Sequence, residues 1–167
     1  NLEEGAQAQA EALAELPFLF SHVALMADAH QGYGMPIGGV IAANDVVVPN
    51  AVGVDIGCGM HLVTTAIPAG DVTKEDLLEI CRRIRLTVPV GFHKHAQATW
   101  PLPPNMPVIP VLVENRDNAE HSLGTLGGGN HFIEIQRNVE NNLCFMIHSG
   151  SRNLGKQICD TYNSRAK

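Results

Sequence analysis

No apolar run in this 167-residue chain approaches the ~20 residues needed to cross a bilayer. Its first residues also lack the basic-then-apolar order of a signal peptide. Both absences predict a soluble, cytoplasmic protein with no membrane partner. Paired cysteine spacing is missing too. The thiols at 58, 81, 144 and 159 form neither a C-x-x-C pair nor a small disulfide framework, so reduced cysteines are expected. Charge is sparse, at 17% Asp, Glu, Lys and Arg, and sums to −6. That excludes the broad basic surface on which phosphate neutralisation dominates binding. A nucleic-acid partner must therefore be argued from local residues. Arg82, Arg83 and Arg85 follow a helical stretch, where a solvated face is the simpler account, and Arg152 lies in a loop after a histidine. No internal repeat or low-complexity segment is present.

What is present is enough apolar content, 45%, for one core, with 16 glycines and 10 prolines that impose many turns. One loop-rich domain, or a large piece of one, is expected over 1–167. Ala, Glu, Gln and Leu predict a first helix from Glu3 to Leu16, stopped by Pro17. Val23–Met26 reads as a short strand running into a glycine-rich loop, 28–39, and Val46–Val48 and His61–Thr65 read as further strands. Thr73 suits the N-cap of a helix reaching Ile84, with Asp76 three residues on and an apolar stripe of Leu77, Leu78, Ile80 and Ile84. Six prolines fall within 88–110, predicting an extended, irregular excursion. The pattern predicts a hairpin of His131–Gln136 and Leu143–Ile147 around a polar turn, and 153–167 is helical in character and without an end signal. Short strands alternating with helices make the fold class α+β.

The segment Val52-Gly53-Val54-Asp55-Ile56-Gly57-Cys58-Gly59 places a carboxylate and a thiol three positions apart among glycines. A chain of that kind can turn tightly and present both side chains to one ion. His131 opens one strand of the expected hairpin and His148 closes the other, so antiparallel pairing brings two imidazoles together. One Asp, one Cys and two His make a candidate metal shell. Thiolate and imidazole alone would favour zinc or iron, and only Asp55 leans towards a harder ion such as manganese. His93 and His95 have no acidic or thiol neighbour in sequence and read as surface residues. His30 reads as a stabiliser of its own loop. Cys81, Cys144 and Cys159 read as packing residues.

Four motifs, DAHQGYGMPIGG (28–39), VGVDIGCGM (52–60), LGTLGGGNHFIE (123–134) and MIHSGSRN (146–153), occur in an order that resembles the RtcB family of RNA ligases. The resemblance runs from the first helix to the last residue. It implies an RtcB-like fold with a metal-lined cleft, of which this chain is the N-terminal portion. It also implies joining of RNA 3′-phosphate or 2′,3′-cyclic phosphate ends to 5′-hydroxyl ends in tRNA splicing and RNA repair, with GTP and two Mn²⁺ ions and in some cases an activating protein. By position, Cys58 would bridge the ions, Asp55 and His131 would complete one shell, and His148 would belong to the other. Asn130, Phe132 and Glu134 would hold the guanylate, with Asn130 and Glu134 on one strand face. Asp28 matches an acidic residue of the active-site cleft, and Arg152 an arginine near the RNA phosphate. The family's guanylated histidine and a further metal-binding histidine lie later in the chain, and no histidine follows His148 here. This polypeptide by itself is therefore expected not to ligate. Two rival readings use the same ligands: a dinuclear-metal phosphodiesterase or phosphatase, and a non-catalytic metal- or RNA-binding module.

Overall fold

A computed structural model describes residues 2–166, which fall into two compact units. Lys167, the last residue of the expected C-terminal helix, lies outside the described residues.

The first unit comprises the chain up to Val54, together with the residues from Cys159 onward. Helix α1 (Glu4–Ala14) buries Ala6 and Leu13 and ends before Pro17, as its composition predicts. Strand β1 (Ala24–His30) pairs antiparallel with β2 (Ile37–Val40). The glycine-rich segment is thus mostly a hairpin, and only residues 31–36 are loop. Helix α1 clamps that loop: Gln9 Nε2 donates to Gly32 O at 2.8 Å, Gly32 N donates to Gln9 Oε1 at 3.1 Å, and Gln31 N donates to Glu3 Oε2 at 3.0 Å. Val46–Val48, expected as a strand, belongs to no strand. Pro49 starts the one-turn helix α2 (Pro49–Val52) immediately afterwards and Val48 becomes its N-cap, which leaves no room for a ladder.

The second unit, Asp55–Ile158, is built on β3 (Gly59–Pro68) and α3 (Lys74–Thr87). Two short helices follow the proline-rich segment, α4 (Pro110–Glu114) and α5 (Arg116–Ser122). The hairpin strands are β4 (Phe132–Arg137) and β5 (Asn142–Ser149), and α6 (Leu154–Ala166) begins here. The sheet order is β3-β5-β4, antiparallel throughout, so β5 is central. Leu143 and Cys144 on β5 are buried, as are Val111, Leu112 and Ala119 on the short helices. Cys81 is half-buried among Leu77, Ile84, Ile133 and Ile135, where α3 faces β4. Leu78, expected on that stripe, is 60% exposed, because it lies one position round the helix from Leu77. Between Val88 and Ile109 there is no helix or strand, only the single bridge of Val90 to Gly127.

The start of α3 is a complete capping box: Thr73 Oγ1 accepts from Asp76 N at 3.1 Å, and Asp76 Oδ2 accepts from Thr73 N at 2.9 Å. Arg82 and Arg83 both donate to Glu79, at 2.7 and 2.8 Å, on the exposed side of this helix, so those arginines form a solvated face. Replacing Thr73 by Ala is expected to cost about 1 kcal/mol in denaturant unfolding. The Thr73 hydroxyl, and then its backbone N–H, hold the Asp76 carboxyl below its ordinary value. That contribution is present above the ordinary carboxylate range and lost as pH falls through the lowered value, so the penalty of Thr73→Ala should shrink in acid.

Candidate metal centre

Three strand ends meet at one edge of the second unit's sheet. Antiparallel order puts the starts of β3 and β4 beside the finish of β5: Met60 lies opposite His148, and so does Phe132. The residues just before β3 and β4 are thereby delivered to His148. Before β3, Asp55 and Cys58 are the first and last residues of a tight turn closed by Cys58 N donating to Asp55 O at 2.9 Å. Gly57 at φ 91° supplies the positive angle such a turn requires at its third position. Before β4 stands His131.

The resulting distances are short. Cys58 Sγ lies 3.0 Å from His148 Nε2 and 3.7 Å from His131 Nε2, and His131 Nε2 lies 3.3 Å from Asp55 Oδ2. One donor atom each from Cys58, His131 and His148 falls within a 4.8 Å span. Donors about 2.0–2.3 Å from a shared ion stand about 3–4 Å apart, and the separations from Cys58 to each imidazole fall in that range. The two imidazoles meet edge to face at 5.1 Å. Local desolvation of the sulfur raises the Cys58 thiol above its ordinary value, and the Asp55 charge adds to this. Buried His131 Nδ1 has no hydrogen-bond partner among the described residues and stands against Gly127.

The ligands are backed by the segment after β5. Ser151 donates to Asp55 Oδ1 through its backbone N at 3.1 Å and also through its hydroxyl. A Cβ on Gly150 would collide with His131 Cε1 and reach 3.0 Å from Asp55 Oδ2. Arg152 and Asn153, at φ 54° and 73°, turn the chain from β5 into α6. The Arg152 guanidinium donates through Nε to Thr125 Oγ1 at 2.7 Å and through Nη2 to Gly91 O at 2.6 Å, so it clamps the entry of the proline-rich segment. Nothing in the sequence pointed to that clamp.

The remaining expected residues are placed as follows. Phe132 and Glu134 share one face of β4, with the Phe132 ring 5.5 Å from His148 and Glu134 accepting from Gln136 Nε2 at 2.9 Å. Asn130 is exposed and precedes the ladder, because β4 opens at Phe132; strand alternation therefore does not govern it. Asp28 is an exposed residue of β1 in the first unit, and its backbone carbonyl lies 2.9 Å from His30 Nδ1, the local role expected for His30. His95 lies 3.4 Å through Nε2 from Gly124 O, while His93 is exposed.

An α+β fold with a thiol, a carboxylate and two imidazoles at one end of a sheet defines a candidate cation-binding site. The family model described as tRNA-splicing ligase RtcB matches residues 9–107 and 104–167. An RNA-splicing ligase RtcB from Escherichia coli strain K12 is 39% identical over 176 residues, covering 94% of this chain and 43% of that protein. A tRNA-splicing ligase RtcB from Methanococcus maripaludis is 32% identical over 214 residues, covering 97% of this chain and 44% of its own. This chain belongs to the RtcB family, and it spans less than half the length of these relatives. No helix among the described residues is long and apolar enough to cross a membrane.

Crowding at Gly150 makes a direct check of the site. Gly150→Ala is expected to cost about 1–3 kcal/mol in denaturant unfolding and to weaken divalent-cation binding. An unchanged unfolding midpoint together with unchanged binding would mean that the space behind His131 is not limiting.

Proposed function

We propose that this chain supplies part of the active centre of a GTP- and Mn²⁺-dependent RNA ligase, which joins 3′-phosphate or 2′,3′-cyclic phosphate ends to 5′-hydroxyl ends in tRNA splicing and RNA repair. The observation that carries the reading is the cluster of Cys58, His131 and His148, with Asp55 beside His131, in a chain whose relatives are named as RNA- and tRNA-splicing ligases.

The arrangement is asymmetric in a way that suits two ions. Cys58 is near both imidazoles, whereas Asp55 pairs only with His131. A thiolate has lone pairs enough to serve two neighbours, so Cys58 would be shared, with Asp55 and His131 holding one ion and His148 the other. When bound, the ions supply charge neutralisation for the attacked phosphate and its leaving oxygen. The chain's own residues do the holding: Asp55 and Cys58 are locked in one turn, and His148 is fixed in the central strand. Phe132 offers an apolar face beside His148, and Glu134, two residues along the same face, offers a carboxylate to the donors of a guanine edge. Asn130 would contact the phosphate or ribose side. With Nε and Nη2 donating to Thr125 and Gly91, Arg152 would offer an RNA phosphate a single donor, Nη1, rather than a forked pair.

Calorimetric titration of the chain with Mn²⁺ should show saturable binding that Cys58→Ala abolishes. A folded wild-type chain that takes up no Mn²⁺ would mean that the centre needs the family's later histidines to hold the ion. GTP-independent hydrolysis of an RNA 2′,3′-cyclic phosphate by the wild-type chain, lost in Cys58→Ala, would instead favour the phosphodiesterase.

A further inference from the structure

Ser151 belongs to no expected ligand set, yet it is the residue most closely bound to one. Its backbone N–H and its hydroxyl both donate to the same oxygen of Asp55, Oδ1. The other oxygen, Oδ2, is the one that faces His131 Nε2 at 3.3 Å. A carboxylate with both oxygens free rotates about its last bond and presents either of them. One held by two donors on a single oxygen presents only the other.

The hydroxyl is in turn held from behind. Gly155 N, in the first turn of α6, donates to Ser151 Oγ at 3.1 Å. A hydroxyl has one hydrogen to give and two lone pairs to accept with, so giving to Asp55 while accepting from Gly155 fixes its rotor. The helix is pressed close to do this: a Cβ on Gly155 would collide with Ser151 Oγ and with the carbonyl oxygen of Ile56, inside the Asp55–Cys58 turn. The chain of contacts therefore runs from the α6 backbone through Ser151 to Asp55. Every link is a hydrogen bond or a close contact at Gly155.

We infer that Ser151 is a positioning residue of the centre: its hydroxyl, itself held by Gly155 N in the first turn of α6, orients Asp55 so that Oδ2 alone is offered to the cation. This rests on the reading of Asp55 as a cation ligand. Removing a hydrogen-bond partner from behind a metal ligand typically costs 10–100-fold in metal affinity, and Ser151 occupies that place for Asp55.

The test is Mn²⁺ titration of four chains, wild type, Ser151→Ala, Asp55→Ala and the double variant, with thermal melting followed by circular dichroism on each. Ser151→Ala should fold and bind Mn²⁺ about 10–100-fold more weakly. Ser151→Thr, which keeps the hydroxyl, should restore most of the affinity. In the Asp55→Ala background, Ser151→Ala should have no further effect, because Ser151 acts through Asp55; a merely structural serine would weaken binding in both backgrounds. Wild-type affinity in Ser151→Ala, with Asp55→Ala impaired, overturns the inference and leaves the reading of the centre standing. Wild-type affinity in Asp55→Ala overturns the reading of Asp55 itself, and the inference with it. A Ser151→Ala chain that no longer melts cooperatively assigns Ser151 to folding and likewise overturns the proposal.

Discussion

Antiparallel pairing on both sides of β5 decides where each ligand of the second unit arrives. Because β5 is central and both partners run against it, its end meets their two beginnings, and His148 acquires Met60 on one side and Phe132 on the other. A parallel partner would have carried the Asp55–Cys58 turn to the far end of the sheet. Register matters as much as direction. Side chains alternate between faces, so a slip of one residue in either ladder would move His148 to the opposite face while leaving the turns where they are. The polar turn between β4 and β5 pins that register: Asn138 Oδ1 accepts from Glu140 N and from Asn142 N, and Asn141 takes the positive φ the reversal needs.

Once the strand ends are placed, the limit is space. The ligands approach so closely because what lies behind them is backbone rather than side chain. Gly150 backs His131 and Asp55, and Gly155 lets α6 rest on the turn at Ile56. Larger residues are pushed outward into supporting roles. Arg152, one residue beyond Ser151, reaches away to Thr125 and Gly91 and ties an otherwise irregular proline-rich segment to the sheet. The run His148–Gly155 thus changes job almost residue by residue, from ligand to backing to clamp to helix start.

Much of this was legible in the residues. Glycines around Asp55 and Cys58 announced a turn, and the two histidines at opposite ends of a β-branched, turn-linked pair announced their meeting. Thr73 and Asp76 marked the helix that begins between them. Where legibility failed, the cause was non-local. That β3 pairs with β5 depends on a contact between segments some eighty residues apart, which no local pattern encodes. The clamp by Arg152 on Gly91 has the same character. Ser151 was hidden for a different reason: a small residue in a Gly- and Ser-rich run is ambiguous until the position of Asp55 is known. Val46–Val48 failed the other way, since β-branched residues favour extended backbone but do not supply a neighbouring strand. Helices α4 and α5 escaped notice because each is too short to show a period.

The ligand set by itself is indifferent between ligation and hydrolysis, since both chemistries ask paired cations to neutralise a phosphate and stabilise a departing oxygen. Softness does not choose either: a thiolate and two imidazoles would accept zinc, and Asp55 is the one hard donor in the group. Its orientation consequently carries weight out of proportion to a single side chain. A carboxylate fixed on one oxygen offers a harder ion a directed ligand, whereas a free one competes poorly with thiolate and imidazole. Selection of the proposed manganese and of ligation over hydrolysis therefore cannot come from the four ligands alone. On the proposed function it would come from what surrounds them: the serine that holds Asp55 from behind, and the Phe132 and Glu134 face beside His148, which a nucleotide-using enzyme would need and a simple hydrolase would not.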